Sequence, residues 1–174
     1  MSNSPAESLV TRRLRLVPCD AATARTAIQD PERLSTLLGL HVDPEWPSED
    51  LLEVLPGYAD ALELDPALQR WGFYLVVERR GGRLVGDAGF KGPPDEEGAV
   101  EIGYGIVSPR RGRGFATEAV AALLEAARRD PSVRSVRATC YASNGASRRV
   151  LEKSGFRLVG KEGGLLDWAI DLDA

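Results

Sequence analysis

The segment with the clearest chemical signature is a glycine- and arginine-rich turn followed by a helical pattern. Residues 108–120 read SPRRGRGFATEAV, with Gly112 and Gly114 directly before an amphipathic stretch. Glycine lets a ligand approach the backbone closely, and the first amides of a helix are unpaired donors at the positive end of its dipole. The pattern predicts an anion cradle suited to a phosphate or pyrophosphate, with a solvated basic turn as the alternative.

Other reactive patterns in the chain are incomplete. Gly81 and Gly86 have the spacing of a phosphate-binding loop, but Asp87 stands where that motif requires a lysine. His41 is the only histidine and the sequence has no G-x-S-x-G elbow, which argues against a Ser-His-Asp hydrolase. Two cysteines and one histidine cannot by themselves close a structural zinc site, so no metal is expected.

The composition is that of an ordinary globular domain. The chain has 174 residues, of which 43% are hydrophobic and 28% charged, and its net charge is −4. This acidic balance argues against a nucleic-acid partner. Nucleic-acid binding is still an alternative interpretation, because the three arginines of the turn form a local basic patch. No apolar run approaches the ~20 residues of a membrane span, so we expect a cytoplasmic protein without a membrane partner. We expect a disordered lead-in over residues 1–8 and one domain over residues 9–174.

Hydrophobic periodicity predicts the elements that must position the glycine-rich turn. Leu14 and Leu16 alternate with arginines, which indicates a half-buried strand over residues 9–17. Residues 31–65 are typical of helical pieces, interrupted by prolines that include Pro56. The later elements predicted are strands over 71–78, 84–90, 99–107, 135–142, 156–160 and 165–172, and helices over 114–130 and 145–154. This order predicts an α/β domain, layered as in α+β folds, with a mixed, mostly antiparallel central sheet flanked by helices.

The glycine-rich turn carries a family resemblance. Arg111-x-x-Gly114-x-Ala116 matches the R/Q-x-x-G-x-G/A signature of the GNAT superfamily of N-acetyltransferases. Matching surroundings are Glu101-Ile102-Gly103-Tyr104, Asn144-x-x-Ser147 and Glu152-Lys153-Ser154-Gly155-Phe156. Over about residues 10–170 the chain resembles the RimJ/RimL-like branch, which acetylates protein N-termini and, in many relatives, other amines.

The resemblance implies acetyl-CoA as cosubstrate. In that family the pyrophosphate lies on the loop, and the pantetheine arm pairs with the strand that ends there, which splays from its neighbour. The matching positions are Gly105, Ile106, Val107, Arg111, Gly112, Arg113, Gly114, Ala116, Thr117 and Asn144. An amide near Ile106 or Val107 would polarise the thioester carbonyl. Asn144 is also typical of a helix N-cap, and both roles can hold at once.

The resemblance also suggests catalytic residues. Glu101 matches the glutamate that serves as base in histone-acetylating relatives, with an ordinary strand carboxylate as the alternative. The tyrosine that many relatives use as general acid is replaced by Leu151, so Ser147 is the first choice for that role. Cys140 lies nearby in sequence but is more typical of core packing.

The acceptor pocket is expected from the early helices and the last hairpin. Residues 40–53 place several carboxylates beside His41 and Trp46, and acid next to an aromatic ring suits a cationic amine. Tyr141 is expected to flank the same site. The alternative is a solvated acidic face with one packed tryptophan.

The sequence therefore predicts an acetyl-CoA-dependent N-acetyltransferase that moves an acetyl group directly to a primary amine. That amine would belong to a protein or peptide N-terminus or to a small molecule. A non-catalytic acyl-CoA-binding or regulatory module on the same fold is the alternative, because the usual tyrosine acid is missing. Relatives are often dimers, so a homodimer stays open.

Overall fold

The computed structural model of the protein describes residues 6–172. Of the lead-in predicted at residues 1–8, the first five residues lie outside the described part, and residues 6–8 precede the first strand without regular secondary structure. None of the helices within 6–172 is long and apolar enough to cross a membrane.

The chain folds into a central sheet with helices on both faces. The strands are β1 (Leu9–Val10), β2 (Leu14–Pro18), β3 (His41–Val42), β4 (Phe73–Glu78), β5 (Arg83–Phe90), β6 (Ala99–Ile106), β7 (Ser135–Tyr141), β8 (Arg157–Glu162) and β9 (Leu165–Asp171). The α-helices are α1 (Ala21–Gln29), α2 (Leu34–Leu38), α3 (Glu49–Leu64), α4 (Phe115–Arg128) and α5 (Gly145–Lys153). Short 3-10 turns span Pro31–Arg33, Pro66–Trp71 and Ser108–Arg110. The strand order is β1-β2-β4-β5-β6-β7-β9-β8, and β3 pairs with β5.

Most neighbouring strands are antiparallel. β4 and β5 form a hairpin across Gly81 and Gly82, and β8 and β9 form another across Gly163 and Gly164. All four glycines have positive φ, which their turns require. The parallel pairs within residues 6–172 are β6 with β7 and β3 with β5. The predicted mixed, mostly antiparallel sheet with flanking helices is therefore confirmed.

Each face of the sheet has its own hydrophobic core. On one face α4 buries Val120 and Leu123 in a cluster that includes Ile102 of β6. On the other face α1, α2 and α3 form a second cluster, in which Leu55 of α3 lies with Leu75 of β4. The sheet is thus enclosed between two helical layers.

Strand β6 contributes to both faces by alternation. Ile102 and Ile106 are buried in the core beneath α4, so Glu101, Gly103 and Gly105 lie on the opposite face, the one that α3 covers in part. Two of these three residues have no side chain. The α3 face of β6 is therefore bare backbone along most of its second half.

Three elements differ from their predicted form, one of which is the short strand β3 inside the predicted helical pieces of residues 31–65. The strand expected over residues 9–17 is divided into β1 and β2 by a turn, in which the Thr11 amide donates to the Leu14 carbonyl at 2.9 Å. Helix α3 continues through Pro56, contrary to the interruption predicted there. Pro56 is exposed, so water can hydrate the carbonyl that lacks its helical donor.

Candidate active site

A cavity of about 1160 Å³ connects the N-terminus of α4 to the sheet face beneath α3. Its walls are formed by α3 and the loop before it, by β5 and β6, by the glycine-rich turn, and by the first turns of α4 and α5. One continuous space therefore joins the predicted anion cradle to part of the predicted acceptor segment.

The cavity follows an opening between β6 and β7. Their parallel pairing runs from Ala99 opposite Ser135 to Ile102 opposite Ala138 and ends there, although both strands continue. The second half of β6 consequently has no strand partner on its β7 side. This is the splay that the family resemblance implies.

Hydrogen bonding along β6 determines which amides face this open edge. The Val107 amide donates to the Val85 carbonyl at 3.0 Å, on the β5 side. Successive strand residues direct their amides to alternate sides, so Gly105 also faces β5 while Tyr104 and Ile106 face the opening. Of the two predicted amide donors, Val107 is excluded because it is already bonded, and Ile106 is the one available.

The turn before α4 has the conformation of an anion cradle. Gly112 and Gly114 adopt φ values of 72° and 77°. Gly114 is the N-cap of α4, and no side chain within residues 6–172 caps that end of the helix. A Cβ atom at Gly112 would meet no atom within 4 Å, so the backbone here is open. The first amides of α4 therefore remain available to an anionic ligand.

The three arginines of the turn differ in what their side chains contact. The Arg110 guanidinium pairs with Glu78 at 3.4 Å, and Arg111 Nε donates to the Ile106 carbonyl at 2.8 Å. Arg113 is exposed and does not line the cavity. Two of the arginines thus hold the turn against the sheet, and the backbone forms the cradle.

Arg13, directly before β2, fixes the turn from the other side. Its Nη1 donates to the Arg113 carbonyl at 2.8 Å, its Nε pairs with Glu118 at 2.6 Å, and its guanidinium lies 4.8 Å from the centre of the Phe115 ring. Burial favours the neutral form of Glu118, but hydrogen bonds from Thr11 and Arg13 outweigh it and lower the pKa of that carboxyl. The ionised Glu118 therefore keeps Arg13 against the first turn of α4.

Across the opening, a pair of hydroxyls joins β6 to α5. The Tyr104 hydroxyl lies 2.8 Å from Ser147 Oγ, and burial raises the pKa of Tyr104 to about 12. Asn144 caps α5 by accepting the Ser147 amide at 3.0 Å, which is the capping role considered from the sequence. Leu151 is fully buried in the core, and Cys140 is buried there too.

Beneath α3 the cavity ends at an indole and a carboxylate. Trp46 Nε1 donates to Asp87 Oδ1 at 3.0 Å, and both residues line the cavity. Burial raises the pKa of Asp87 to about 6, against the lowering effect of the bond from Trp46. Glu45 accepts the Ser108 amide at 2.7 Å, and this bond lowers the pKa of Glu45. This end of the cavity therefore carries ionised acid beside an aromatic ring at neutral pH.

Comparison with known proteins identifies the family. Residues 13–157 match the sequence model of the acetyltransferase (GNAT) domain. The chain belongs to the GNAT acetyltransferase family. It is 31% identical over 160 residues to the uncharacterized N-acetyltransferase YjdG of Bacillus subtilis (strain 168), covering 92% of this chain and 95% of YjdG. The prediction of a GNAT N-acetyltransferase is thereby confirmed.

Solved structures share the GNAT fold. The RimL ribosomal L7/L12 alpha-N-protein acetyltransferase in complex with coenzyme A matches with a TM-score of 0.68 and 21% identity, over 96% of this chain and 99% of that one. The ribosomal-protein-S5-alanine acetyltransferase of Vibrio fischeri matches with a TM-score of 0.69 and 17% identity, over 96% and 97%. The microcin C7 self-immunity acetyltransferase MccE, in complex with acetyl-CoA and AMP, matches with a TM-score of 0.67 and 14% identity, over 97% of each chain.

Within this GNAT domain most of the predicted site residues meet in the one cavity. The residues that line it are Gly105, Ile106, Val107, Arg111, Gly112, Gly114, Ala116, Thr117, Asn144, Ser147 and Trp46. His41 and Tyr141 lie elsewhere: His41 is exposed on β3 beside Arg83, and Tyr141 is exposed at the end of β7. The pocket role predicted for these two residues is therefore not supported by the geometry.

Glu101 lies at the rim of the site. Its carboxylate is paired with Lys91, whose side chain lines the cavity, while Glu101 itself lines a smaller neighbouring cavity of about 190 Å³. The carboxylate of Glu101 is thus half-exposed, ion-paired and outside the main cavity, which does not favour its predicted role as the base. Within the sheet strands, the acidic group that lines the main space is Asp87. Its signal in the sequence is one carboxylate among the uncharged residues that follow Arg83 in β5.

Proposed function

We propose that the protein transfers an acetyl group from acetyl-CoA directly to a primary amine of a small molecule or of a peptide N-terminus. The observation that carries this proposal is the continuity of the cavity. It begins at the backbone cradle of Gly112 and Gly114, follows the open edge of β6, and ends at the acidic pocket of Trp46 and Asp87. A cosubstrate and an acceptor amine can therefore meet in one space.

The residues at the α4 end fit the diphosphate of coenzyme A. The cradle offers uncapped helix amides, and a side chain at either glycine would require a strained backbone. The unpaired edge of β6 offers the Tyr104 and Ile106 amides to an extended, amide-bearing arm. The related RimL and MccE structures contain coenzyme A and acetyl-CoA, which supports the same class of ligand here.

The chemistry requires a polarised carbonyl and a partner for the leaving sulfur. The Ile106 amide would donate to the thioester oxygen as negative charge develops on it. Ser147, held by Tyr104, would donate a hydrogen bond to the departing thiolate. A coenzyme A thiol has a pKa near ~8.5, so a hydrogen bond suffices and full protonation by a strong acid is not required. The core position of Leu151 is compatible with this arrangement.

Direct transfer is favoured over an acetyl-cysteine intermediate. Cys140 is 7% exposed and belongs to the hydrophobic core beneath α4. The single histidine, His41, is exposed on β3 beside Arg83 and is not hydrogen-bonded to that thiol. A nucleophilic thiol needs an activating base and access to the thioester.

The acceptor end of the cavity favours a cation. Glu45, Asp50 and Asp87 line it together with Trp46 and Tyr58, a set that suits an ammonium group. Two of the similar structures are ribosomal-protein acetyltransferases by name, and one of them is named an alpha-N-protein acetyltransferase, which makes peptides a first class to test.

Thiol release from acetyl-CoA tests the proposal. The panel contains peptides beginning with Ser, Ala and Met, together with polyamines and aminoglycosides, and thermal unfolding is followed with and without acetyl-CoA. Amine-dependent thiol release supports the enzyme. Stabilisation by acetyl-CoA without release for any amine would favour the non-catalytic acyl-CoA-binding module, and no stabilisation would contradict both.

A further inference from the structure

One acidic group of the cavity has no part in the steps above. Asp87 lies in the middle of β5, with one oxygen accepting the Trp46 indole N–H at 3.0 Å. Within residues 6–172 that indole is the only side chain hydrogen-bonded to the carboxylate. A partly satisfied carboxylate facing a cavity retains acceptor capacity for a ligand.

The register of the sheet sets this carboxylate beside bare backbone. Asp87 is directly opposite Gly105 of β6, and Gly103 is the next residue on the same face. A Cβ atom at Gly105 would meet no atom within 4 Å. Neighbouring strands lie about 5 Å apart, so the carboxylate is separated from the open edge of β6 only by the width of one strand without side chains.

We propose that Asp87 binds the ammonium group of the acceptor and takes its proton, with the amine lying over the open backbone at Gly105. This inference rests on the proposed acetyl transfer and names its acceptor-side base. It reassigns the role predicted for Glu101, whose carboxylate is held by Lys91 outside the main cavity. Trp46 positions the carboxylate through its indole N–H.

The proton balance of the step is closed. The ammonium gives one proton to the Asp87 carboxylate, and the free amine nitrogen attacks the thioester carbonyl carbon. The carbon–sulfur bond then breaks while Ser147 donates a hydrogen bond to the departing thiolate. The thiolate takes up the second nitrogen proton, and protonated Asp87 releases its proton to solvent. The sum is ammonium plus acetyl-CoA giving amide, coenzyme A and one proton.

The surroundings of Asp87 make it a better base than an ordinary aspartate. Burial raises its pKa to about 6, which reduces the gap to an α-amino group near ~8. Of its titratable neighbours, Cys19 and Tyr58 have pKa values raised by burial, and Glu45 has a lowered pKa. None of these three changes charge between pH 5 and 8, so a transition in that range that D87N loses belongs to Asp87.

The kinetic test compares D87N with E101Q and H41N, using the best amine of the panel between pH 5 and 9. For the wild type we expect a rise in kcat/KM with a midpoint near about 6. We expect D87N to lower kcat by about 10²-fold. The kcat/KM of D87N should also lack that rise with pH and should follow only the deprotonation of the amine in solution. E101Q and H41N should keep the rise, with kcat within about 10-fold of the wild type.

A second test uses tryptophan fluorescence, with W46F as the reference for the signal of the other two tryptophans, and requires no turnover. Protonation of Asp87 changes the charge next to the indole, so the wild type and H41N should show a transition near about pH 6 that D87N lacks. In W46F the loss of a hydrogen bond to the carboxylate should move the kinetic rise to higher pH.

The outcomes separate this inference from the proposed function. An active wild type with an active D87N that keeps its rise near pH 6 overturns the role of Asp87 and leaves acetyl transfer standing. Loss of the rise in E101Q instead of D87N returns the base role to Glu101. A wild type that releases no thiol with any amine overturns both proposals.

Discussion

The two ends of the cavity differ in the groups that bind a ligand. At the α4 end, the binding groups are backbone amides, and side chains such as Arg13 and Arg111 hold the backbone in place. At the α3 end, the binding groups are side chains, with Trp46 from a loop and Asp87 from β5, brought together over 41 residues. The first end is a local structure of one segment, whereas the second exists only when the whole sheet has formed.

This difference affects what each end can tolerate. A backbone cradle depends on dihedral angles, so it is sensitive to any side chain at its glycines but indifferent to most changes around it. A pocket of side chains depends on charge and burial, so isosteric changes there alter chemistry while the fold persists. Substitutions at the α4 end should consequently impair ligand binding, whereas isosteric substitutions at the α3 end should change the chemistry and leave the fold intact.

The largest effect is expected for G114V. Gly114 has a φ of 77°, and its ideal Cβ would lie 3.3 Å from Arg13 Nη2, so valine should distort the cradle and abolish stabilisation by acetyl-CoA. For the wild type, ligand at 100 times Kd should add about 2.7 kcal/mol to the free energy of unfolding. Thermal unfolding with and without acetyl-CoA measures the stabilisation of the wild type and its loss in G114V.

G164V is the matched control for this substitution. Gly164 lies in the β8–β9 turn with a φ of 83° and open space around its Cβ position. It should cost a similar amount of stability, about 1–2 kcal/mol, and leave the shift with acetyl-CoA intact. Equal loss of the shift in both variants would mean that general strain, not the cradle, is being measured.

The α4 end could be predicted from the sequence because it is local. The glycines, the helix start at Phe115 and the preceding strand lie within one continuous stretch, and the structure agrees there to within one or two residues. The brace by Arg13 could not be predicted, since it comes from about 100 residues away and its own segment has no signal beyond a strand.

The acceptor end was only partly accessible to sequence reasoning. The sequence predicts Trp46 as a pocket residue because carboxylates lie next to this aromatic residue. The place of its partner Asp87 in the site depends on the register of β5 against β6, which the sequence does not show. His41 is kept on the short strand β3 by pairing with β5, an element with no pattern in the sequence. Tyr104 was visible only as part of a motif, and its contact with Ser147 depends on the separation of β6 from β7.

On the sulfur side of the site, Ser147 should give the largest effect. S147A removes one hydrogen bond to the departing sulfur, so we expect kcat to fall by about 10-fold with acetyl-CoA binding unchanged. Y104F should lower kcat by a few-fold, and the double variant should be no worse than S147A, since both act through one hydroxyl pair. Steady-state kinetics at saturating acetyl-CoA decide this, and additive losses would contradict a shared role.

A smaller effect, opposite in sign, is expected for the stability of D87N. The pKa of Asp87 is about 6 in the folded state, above the ~3.9 of an unfolded aspartate, so ionisation weakens the fold as pH rises between these values. Asparagine retains an oxygen to accept the Trp46 N–H. D87N should therefore raise the free energy of unfolding by about 1–2 kcal/mol at pH 7.5, and the gain should disappear towards pH 4. Urea unfolding at both pH values tests the sign.

The smallest effect on activity is expected for C140A. The Cys140 thiol lies in the core beneath α4 and does not line the cavity, so its removal should leave a small void, cost about 1 kcal/mol of stability, and keep kcat within a few-fold of the wild type. The informative comparison is with S147A under saturating acetyl-CoA. Loss of activity in C140A together with normal turnover in S147A would transfer the sulfur-side role to the thiol. It would also require that the core opens at β7 during the reaction, and the complete burial of Leu151 in that core argues against such an opening.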